Sequence, residues 1–222
     1  MTRAELLQTA KPILFNTDMV RAILDGRKTV TRRVLKNQDK HACAFSWEID
    51  ECGKPFVCLF CNDNGDKYLL GNWSNYGIGD ILYVRETWER FDCCHCEGDS
   101  NGVCLKQPDG KEGCYMYRAS DEIWGDAKWR PSIHMPKEAA RIFLRVTDVW
   151  VERLQEINAD GIRNEGLTSM AVHVGDMEIA QAEFALLWDT TVKKSDLDEY
   201  GWNANPWVWV IEFEKLEAQN DT

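Results

Sequence analysis

The sequence has no apolar run long enough to cross a bilayer, and no apolar stretch follows residues 1–5. These absences argue against a membrane-spanning or signal-exported protein, so we expect a cytoplasmic protein without a membrane partner. An excess of positive charge is also absent, because the net charge at pH 7 is −11. Such a charge argues against non-specific binding to long nucleic acid. In a reducing compartment, the nine cysteines are expected to be thiols or metal ligands rather than disulfides.

The charge is distributed unevenly along the chain. Residues 1–36 contain eight Lys or Arg and three Asp or Glu, a net charge of +5. Residues 176–222 contain three Lys and eleven Asp or Glu, a net charge of −8. A local basic site on an acidic body fits a small anionic or nucleotide-like ligand better than a duplex.

The length of 222 residues fits one elaborated domain with enough material for a core. Strands are predicted at 12–15, 30–35, 81–88, 140–151 and 206–213, and helices at 16–25, 159–165 and 177–188. This order predicts an α+β fold, a small mixed β-barrel with a few flanking helices. Residues 37–77 and 89–128 are polar and rich in cysteine, and are expected to be irregular inserts. The third helix is expected to turn Ile179, Ala182 and Leu186 inward, with Phe184 as a further candidate.

The most informative segment is residues 26–33, Gly-Arg-Lys-Thr-Val-Thr-Arg-Arg. It contains four cations and two hydroxyls, and it follows a short amphipathic helix that Gly26 would end. When a helix ends at a glycine and a lysine and a threonine follow at the start of a strand, these reactive side chains lie at the edge of a cavity. On composition alone, the same residues also fit a solvated basic turn and edge strand.

This segment fits the G-x-K-x-x-[ET]-x-R signature of ASCH domains, which the chain resembles. Other pieces follow in the same order: a Gly-Asp turn before an apolar strand at 79–88, a long strand at 139–151, a Glu-Gly pair at 165–166 and an aromatic strand at 207–213. The resemblance covers roughly half the chain, is closest to the longer ASCH proteins of phages and prophages, and implies a PUA-like β-barrel. The cysteine-rich inserts lie outside it.

Small bacterial ASCH enzymes deacetylate acetylcytidine with a Lys, Thr and Glu group. By motif, the resemblance assigns these catalytic roles to Lys28, Thr31 and, after a short insertion, Glu165. Burial and neighbouring arginines would lower the pKa of Lys28, so that it could activate the Thr31 hydroxyl. Glu165 could then protonate the leaving amine or activate water. This chemistry requires no cofactor.

Joint action of Lys28 and Thr31 sets a geometric condition. Positions 28 and 31 of a regular strand face opposite sides of the sheet, so Lys28 must lie in an irregular turn before the strand. The remaining cations of the motif, Arg27, Arg32 and Arg33, are predicted to bind a phosphate or a base edge. Glu86, in a predicted buried strand, is the reserve candidate for the acidic group.

An extended loop at residues 129–136 combines an aromatic ring, a cation, a hydroxyl and an imidazole. We predict that it binds substrate by stacking on a base and contacting a phosphate. The alternative is a rigid surface loop that covers one end of the barrel. The residues concerned are Trp129, Arg130, Ser132 and His134.

The cysteines offer a possible structural zinc site. Cys58 and Cys61 form a C-x-x-C pair, and Cys93 and Cys96 could complete it. Spacing does not select one set of ligands, and the alternative is a group of reduced thiols without metal. Further candidate ligands are Cys94, His95, Cys104 and Cys114.

Three functions follow from these observations. The first is an amidohydrolase that acts on acylated cytidine-type nucleosides through Lys28, Thr31 and Glu165. The second is a non-catalytic PUA-like RNA-binding module, and the third, which the resemblance permits, is a metal-dependent ribonuclease. The expected partner is accordingly a nucleoside, a nucleotide or single-stranded RNA. The sequence does not predict an oligomeric state.

Overall fold

The structure, a computed structural model, describes residues 1–36, 44–51, 54–60, 67–91, 114–121 and 128–217. Helices and strands alternate irregularly along these residues, which confirms the α+β class. None of the described helices is long and apolar enough to cross a membrane. The elements are α1 (Arg3–Thr9), β1 (Lys11–Leu14), α2 (Thr17–Leu24), β2 (Val30–Val34), β3 (Ala44–Ile49), β4 (Pro55–Phe60), β5 (Lys67–Trp73), β6 (Ile81–Arg85), β7 (Trp88–Phe91), β8 (Cys114–Tyr117), β9 (Phe143–Arg153), α3 (Ala159–Asn164), α4 (Met170–Val174), α5 (Met177–Thr191), α6 (Leu197–Tyr200) and β10 (Trp207–Leu216).

The central sheet contains five strands in the order β1-β6-β9-β10-β2. β1 pairs with β6 in parallel, and the other neighbours are antiparallel. Within the described residues this sheet is open, so the closed barrel that we expected is not formed there. Its two edges are nevertheless joined by a side chain, because Arg33 Nη2 on β2 donates to the Leu14 carbonyl on β1 at 2.7 Å. The edge strands therefore meet at the site described below.

The two faces of the central sheet bury different cores, and β10 shows this most clearly. Its aromatic and β-branched side chains alternate between the faces, as a strand buried on both sides requires. Val208 and Val210 pack with α5, whereas the opposite face packs with α2. The face predicted for residues 207–213 is therefore confirmed. Its members are Trp207, Trp209, Ile211 and Phe213.

The two inserts are not irregular where the structure describes them. β3, β4 and β5 form an antiparallel three-stranded sheet, and β7 pairs with β8. Aromatic and β-branched residues favour strands, and the segments at 44–49, 55–60 and 67–73 contain several of them. Their polar and cysteine-rich surroundings hid this propensity, and the prediction of irregular structure is wrong for the described parts.

The segment between α2 and β2 has the irregular backbone that the proposed chemistry needs. Asn16 caps α2 by accepting the N–H of Met19 at 2.9 Å, and Gly26 follows the helix with a φ of 72°. Both Arg27 N–H and Lys28 N–H then donate to the Ala22 carbonyl, at 2.8 and 3.0 Å. Since β2 begins only at Val30, Lys28 precedes the strand and Thr31 lies within it.

Helix α5 presents a different face to the core from the one predicted. Ile179 and Leu186 are 52% and 72% exposed, and Ala182 is exposed as well. Of the candidates only Phe184 is buried, and Trp188 is buried with it. The larger aromatic surface sets the orientation of the helix, since the Phe184 ring packs edge-to-face on Trp202 with centroids 6.0 Å apart.

Candidate functional site

Lys28 lies at the centre of a buried polar cluster. Its side chain is 0% exposed. Nζ donates to the Val30 carbonyl at 2.8 Å, to the Glu165 carbonyl at 3.1 Å and to the carboxylate oxygen Glu165 Oε2. These three oxygens match the number of hydrogens on an ammonium group.

Two glycines allow α3 to approach this cluster closely. Gly166 follows Glu165 with a φ of 98°, and a Cβ there would lie 2.8 Å from Ala22 Cβ and 3.2 Å from Lys28 Cβ. A Cβ at Gly161 would lie 2.9 Å from Arg32 Nη2. Larger residues at either position would push the end of α3 away from the cluster. Glu165, at the end of α3, can therefore reach Lys28 because Gly161 and Gly166 have no side chains that would keep the helix at a distance.

Glu165 also binds Arg32, which in turn binds a second carboxylate. Arg32 Nη1 donates to Glu165 Oε1 at 3.1 Å, and Arg32 Nε donates to Glu152 Oε1 at 2.9 Å. Glu152 is itself oriented by Trp150 Nε1, which donates to Oε2 at 3.0 Å. The Arg32 guanidinium is thus neutralised within the protein, although Arg32 also lines the cleft described below, so its predicted ligand contact stays a prediction.

Burial and charge shift the proton affinities of the central pair. Burial lowers the pKa of Lys28, and the attraction of Glu165 opposes this effect without cancelling it. Burial alone would raise the pKa of Glu165, but the charges of Lys28 and Arg32 outweigh it and hold that pKa below its ordinary value. Glu165 is therefore a carboxylate at neutral pH, and Lys28 releases its proton more readily than a solvated lysine.

A small cleft, partly open to solvent, lies beside the cluster. Thr31 and Glu165 line it, and within the described part of the chain the Thr31 hydroxyl has no hydrogen-bond partner. Lys28 does not line the cleft itself and is connected to it through Glu165. The other residues that line the cleft are mostly apolar: Met19, Phe184, Leu187, Trp188 and Thr191.

Arg33 also lines the cleft, and its surroundings differ from those of Arg32. Its Nη2 donates to the Leu14 carbonyl, and its Cζ lies 5.2 Å from the centre of the Phe15 ring. No carboxylate pairs with Arg33 in the described residues, and it makes no other hydrogen bond there. A half-buried guanidinium without a counter-charge is therefore available at this cleft.

Arg27 does not line the cleft. Its Nη1 donates to the Gly166 carbonyl at 2.7 Å, and its Nη2 pairs with Asp25 at 2.8 Å. These bonds fasten the turn after α2 to the end of α3. The contacts of Arg27 therefore indicate a structural role rather than the predicted ligand contact.

The loop at 129–136 contacts a different part of the sheet from the cleft. The Arg130 guanidinium lies 5.1 Å from the centre of the Trp88 ring and 3.5 Å from Glu89 Oε1. Arg85 Nη2 donates to the Ile133 carbonyl. None of the four predicted binding residues of this loop, Trp129, Arg130, Ser132 and His134, lines the cleft.

Glu86 does not replace Glu165 as the acidic group. Its side chain is 1% exposed, and Arg141 binds it through Nε at 2.8 Å and through Nη2 at 2.9 Å. Burial raises the pKa of Glu86, and Arg141 opposes this effect. The carboxylate is closed off by a single bidentate partner and does not line the cleft.

The sequence analysis missed Glu152 and the apolar wall. The predicted strand stopped at residue 151, one position before Glu152, although β9 continues to Arg153. The wall could have been recognised from the positions of Phe184, Leu187, Trp188 and Thr191, because spacings of three, four and seven residues share one helix face.

The zinc prediction lies outside the described residues. Cys61, Cys93 and Cys96 are not described, and for Cys58 only its place in β4 is. Among the side chains that are described, no group of three or more His, Cys, Asp or Glu is arranged to hold a metal ion.

Comparisons with known proteins identify no relative. No protein family, no curated protein and no solved structure matches the chain.

Proposed function

We propose that this chain is an ASCH-type amidohydrolase of PUA-like architecture that removes the acyl group from N-acylated cytidine-type nucleosides. The observation that carries the proposal is the buried Lys28–Glu165 pair next to a cleft that is also lined by Thr31, whose hydroxyl has no hydrogen-bond partner among the described residues. A nucleophile, a base and an acid are the groups that amide hydrolysis requires.

Each residue has a distinct task in this proposal. The Thr31 hydroxyl attacks the acyl carbon, and its proton passes to the neutral amine of Lys28. The bond between the acyl carbon and the exocyclic nitrogen then breaks, and the Lys28–Glu165 pair returns the proton to the departing amine. Water releases the acyl group from Thr31 as a carboxylic acid. One water is consumed, and one amine and one acid are formed.

Three features of the site support this assignment. Burial lowers the pKa of Lys28, which favours the neutral amine that a base needs. Thr31 and Glu165 both line one cleft, so a ligand in the cleft would contact both side chains. The apolar side chains of Phe184 and Trp188 provide a surface against which a planar base can pack.

A second function, RNA binding without turnover, is favoured by one observation. All three hydrogens of the Lys28 ammonium are bound by protein oxygens, as in an ion pair that serves stability alone. The cleft would then bind a nucleotide of single-stranded RNA. A metal-dependent ribonuclease is the third candidate and would lose activity in the presence of a chelator.

One experiment separates these candidates. The purified protein is incubated with acetylcytidine and related acylated nucleosides, with and without EDTA, and the free nucleoside is measured by liquid chromatography. We expect turnover that EDTA does not affect and that Lys28→Ala abolishes. Binding of single-stranded RNA without turnover of nucleosides or RNA would support the binding module instead. Turnover that survives in Lys28→Ala would contradict the proposed mechanism.

A further inference from the structure

We infer that Arg33 forms an anion subsite in the cleft and that the preferred ligand is a nucleoside monophosphate rather than a nucleoside. The inference takes the cytidine base from the proposed function, but the subsite itself is argued from the charges around Arg33. It concerns ground-state binding and not the acyl transfer.

The buried cluster beside the cleft carries one uncompensated positive charge. Its cations are Lys28, Arg32 and Arg33, and its carboxylates are Glu152 and Glu165, so three positive charges face two negative ones. This count takes Lys28 in the protonated form of its ion pair with Glu165, and not in the neutral form that acts as the base in the proposed reaction. Both carboxylates form ion pairs with Lys28 or Arg32. The positive charge without an ion-pair partner is therefore that of Arg33.

Glu165 attracts Arg33 without pairing with it, and no other carboxylate of the described residues forms an ion pair with Arg33. The nearby Tyr76 remains a neutral phenol, since burial raises its pKa, and its hydroxyl donates to the Pro12 carbonyl at 2.7 Å. The remaining contacts of Arg33 are the Leu14 carbonyl and the face of Phe15. A partly desolvated charge without a partner is costly, and an anionic ligand would remove that cost.

The position of Arg33 defines the kind of ligand. Its guanidinium has five N–H donors in a planar fork that suits the oxygens of a phosphate. The apolar side chains of Met19, Phe184 and Trp188 also line the cleft. A ligand that joins a planar base to a phosphate offers a partner to both the guanidinium and these apolar side chains, whereas a free nucleoside offers none to the guanidinium.

Calorimetric titration at neutral pH tests the subsite with three probes: cytidine 5′-monophosphate, cytidine and inorganic phosphate. We expect the monophosphate to bind about tenfold or more tightly than cytidine, as a charge-assisted hydrogen bond implies. Arg33→Gln should remove this difference, and Arg33→Lys should retain part of it. Arg145→Gln changes an exposed arginine on β9 and should leave the ratio unchanged.

The outcomes that would overturn the inference are specific. Equal affinity of the wild type for cytidine and its monophosphate would do so, as would a preference that persists in Arg33→Gln. Tighter binding of phosphate than of the monophosphate would show a general anion site without a base. If thermal unfolding shows that Arg33→Gln is not folded, the inference is tested by the ratio of the two affinities in the wild type and in Arg33→Lys.

Failure of this inference can be distinguished from failure of the proposed function. A preference for the monophosphate without turnover of any acylated nucleoside would retain the subsite and reject the hydrolase. Turnover with the same KM for acetylcytidine and its 5′-monophosphate would retain the hydrolase and reject the subsite.

Discussion

Two groups of ion pairs in the described part of the chain are built differently. In the Glu86 cluster, Arg141 binds Glu86 with two bonds, donates to Ser120 Oγ at 2.7 Å and lies 4.0 Å from the centre of the Tyr117 ring. The nearby Asp121 adds a second carboxylate, so this cluster has no surplus of positive charge. Every polar contact in this cluster closes on the protein.

The cluster around Lys28 lacks both properties. With Lys28 charged, it carries one positive charge more than its two carboxylates offset, and the uncompensated Arg33 lines a cleft together with the unpartnered Thr31 hydroxyl. Burial of charged groups is common to the two clusters, so burial alone does not mark a functional site. Incomplete compensation next to an open cleft does.

Loss of the cationic partner should give the largest contrast between the clusters. Arg141→Met leaves Glu86 buried without its partner and should lower the free energy of unfolding by about 3–5 kcal/mol. Lys28→Met should cost less, because Glu165 keeps Arg32, but it should reduce turnover of acetylcytidine by about a hundredfold or more. Denaturant unfolding and rates measured on the folded fraction check both expectations. Equal loss of rate in the two variants would remove the distinction.

Removal of the Thr31 hydroxyl should separate activity from stability. Thr31→Val retains the shape of the side chain and breaks no hydrogen bond in the described structure, so stability should change by less than about 1 kcal/mol. Turnover should fall by about two orders of magnitude or more, since the nucleophile is lost. Thr147→Val, at an exposed position of β9, is the matched control. Undiminished turnover by Thr31→Val would show that Thr31 is not the nucleophile.

The dependence of kcat/KM on pH should report the proton on Lys28. Only the neutral amine can accept a proton, so kcat/KM should rise by about tenfold per pH unit until Lys28 is deprotonated. Because burial lowers the pKa of Lys28, the plateau should begin below the ordinary lysine value of about 10.4. Arg145→Met, outside the cluster, should show the same profile. A profile that is flat up to pH 10 would exclude Lys28 as the base.

The smallest effect is expected at Arg27. Its pair with Asp25 is solvent-exposed, and one further bond reaches Gly166, so Arg27→Ala should cost about 1 kcal/mol or less. The KM for acetylcytidine should not change, because Arg27 does not line the cleft. A KM several times higher in Arg27→Ala, with unchanged stability, would show that Arg27 binds the substrate.

The local features of the site followed from the sequence because short-range chemistry determines them. Gly26 ends α2 and adopts a positive φ that other residues rarely adopt, which is why the irregular turn at Lys28 was predictable. The contact between Lys28 and Glu165 joins residues 137 positions apart, and no spacing in the chain reveals it. Only the motif resemblance placed them together.

Longer-range arrangements were less accessible. The parallel pairing of β1 with β6 and the approach of β1 to β2 depend on how the whole sheet folds, so the order of strands could not be predicted. In α5 two faces are apolar, and periodicity alone selected the exposed one with Ile179 and Leu186. The cleft wall was missed for the same reason.

The central claim is that the Lys28 cluster performs chemistry whereas the Glu86 cluster only stabilises the fold. The most direct test measures kcat for acetylcytidine in Glu165→Gln and Glu86→Gln, two equivalent changes of a buried carboxylate. We predict that Glu165→Gln loses about a hundredfold or more of kcat and that Glu86→Gln, although less stable, remains within a few-fold of the wild type. A similar kcat in both variants would contradict the account.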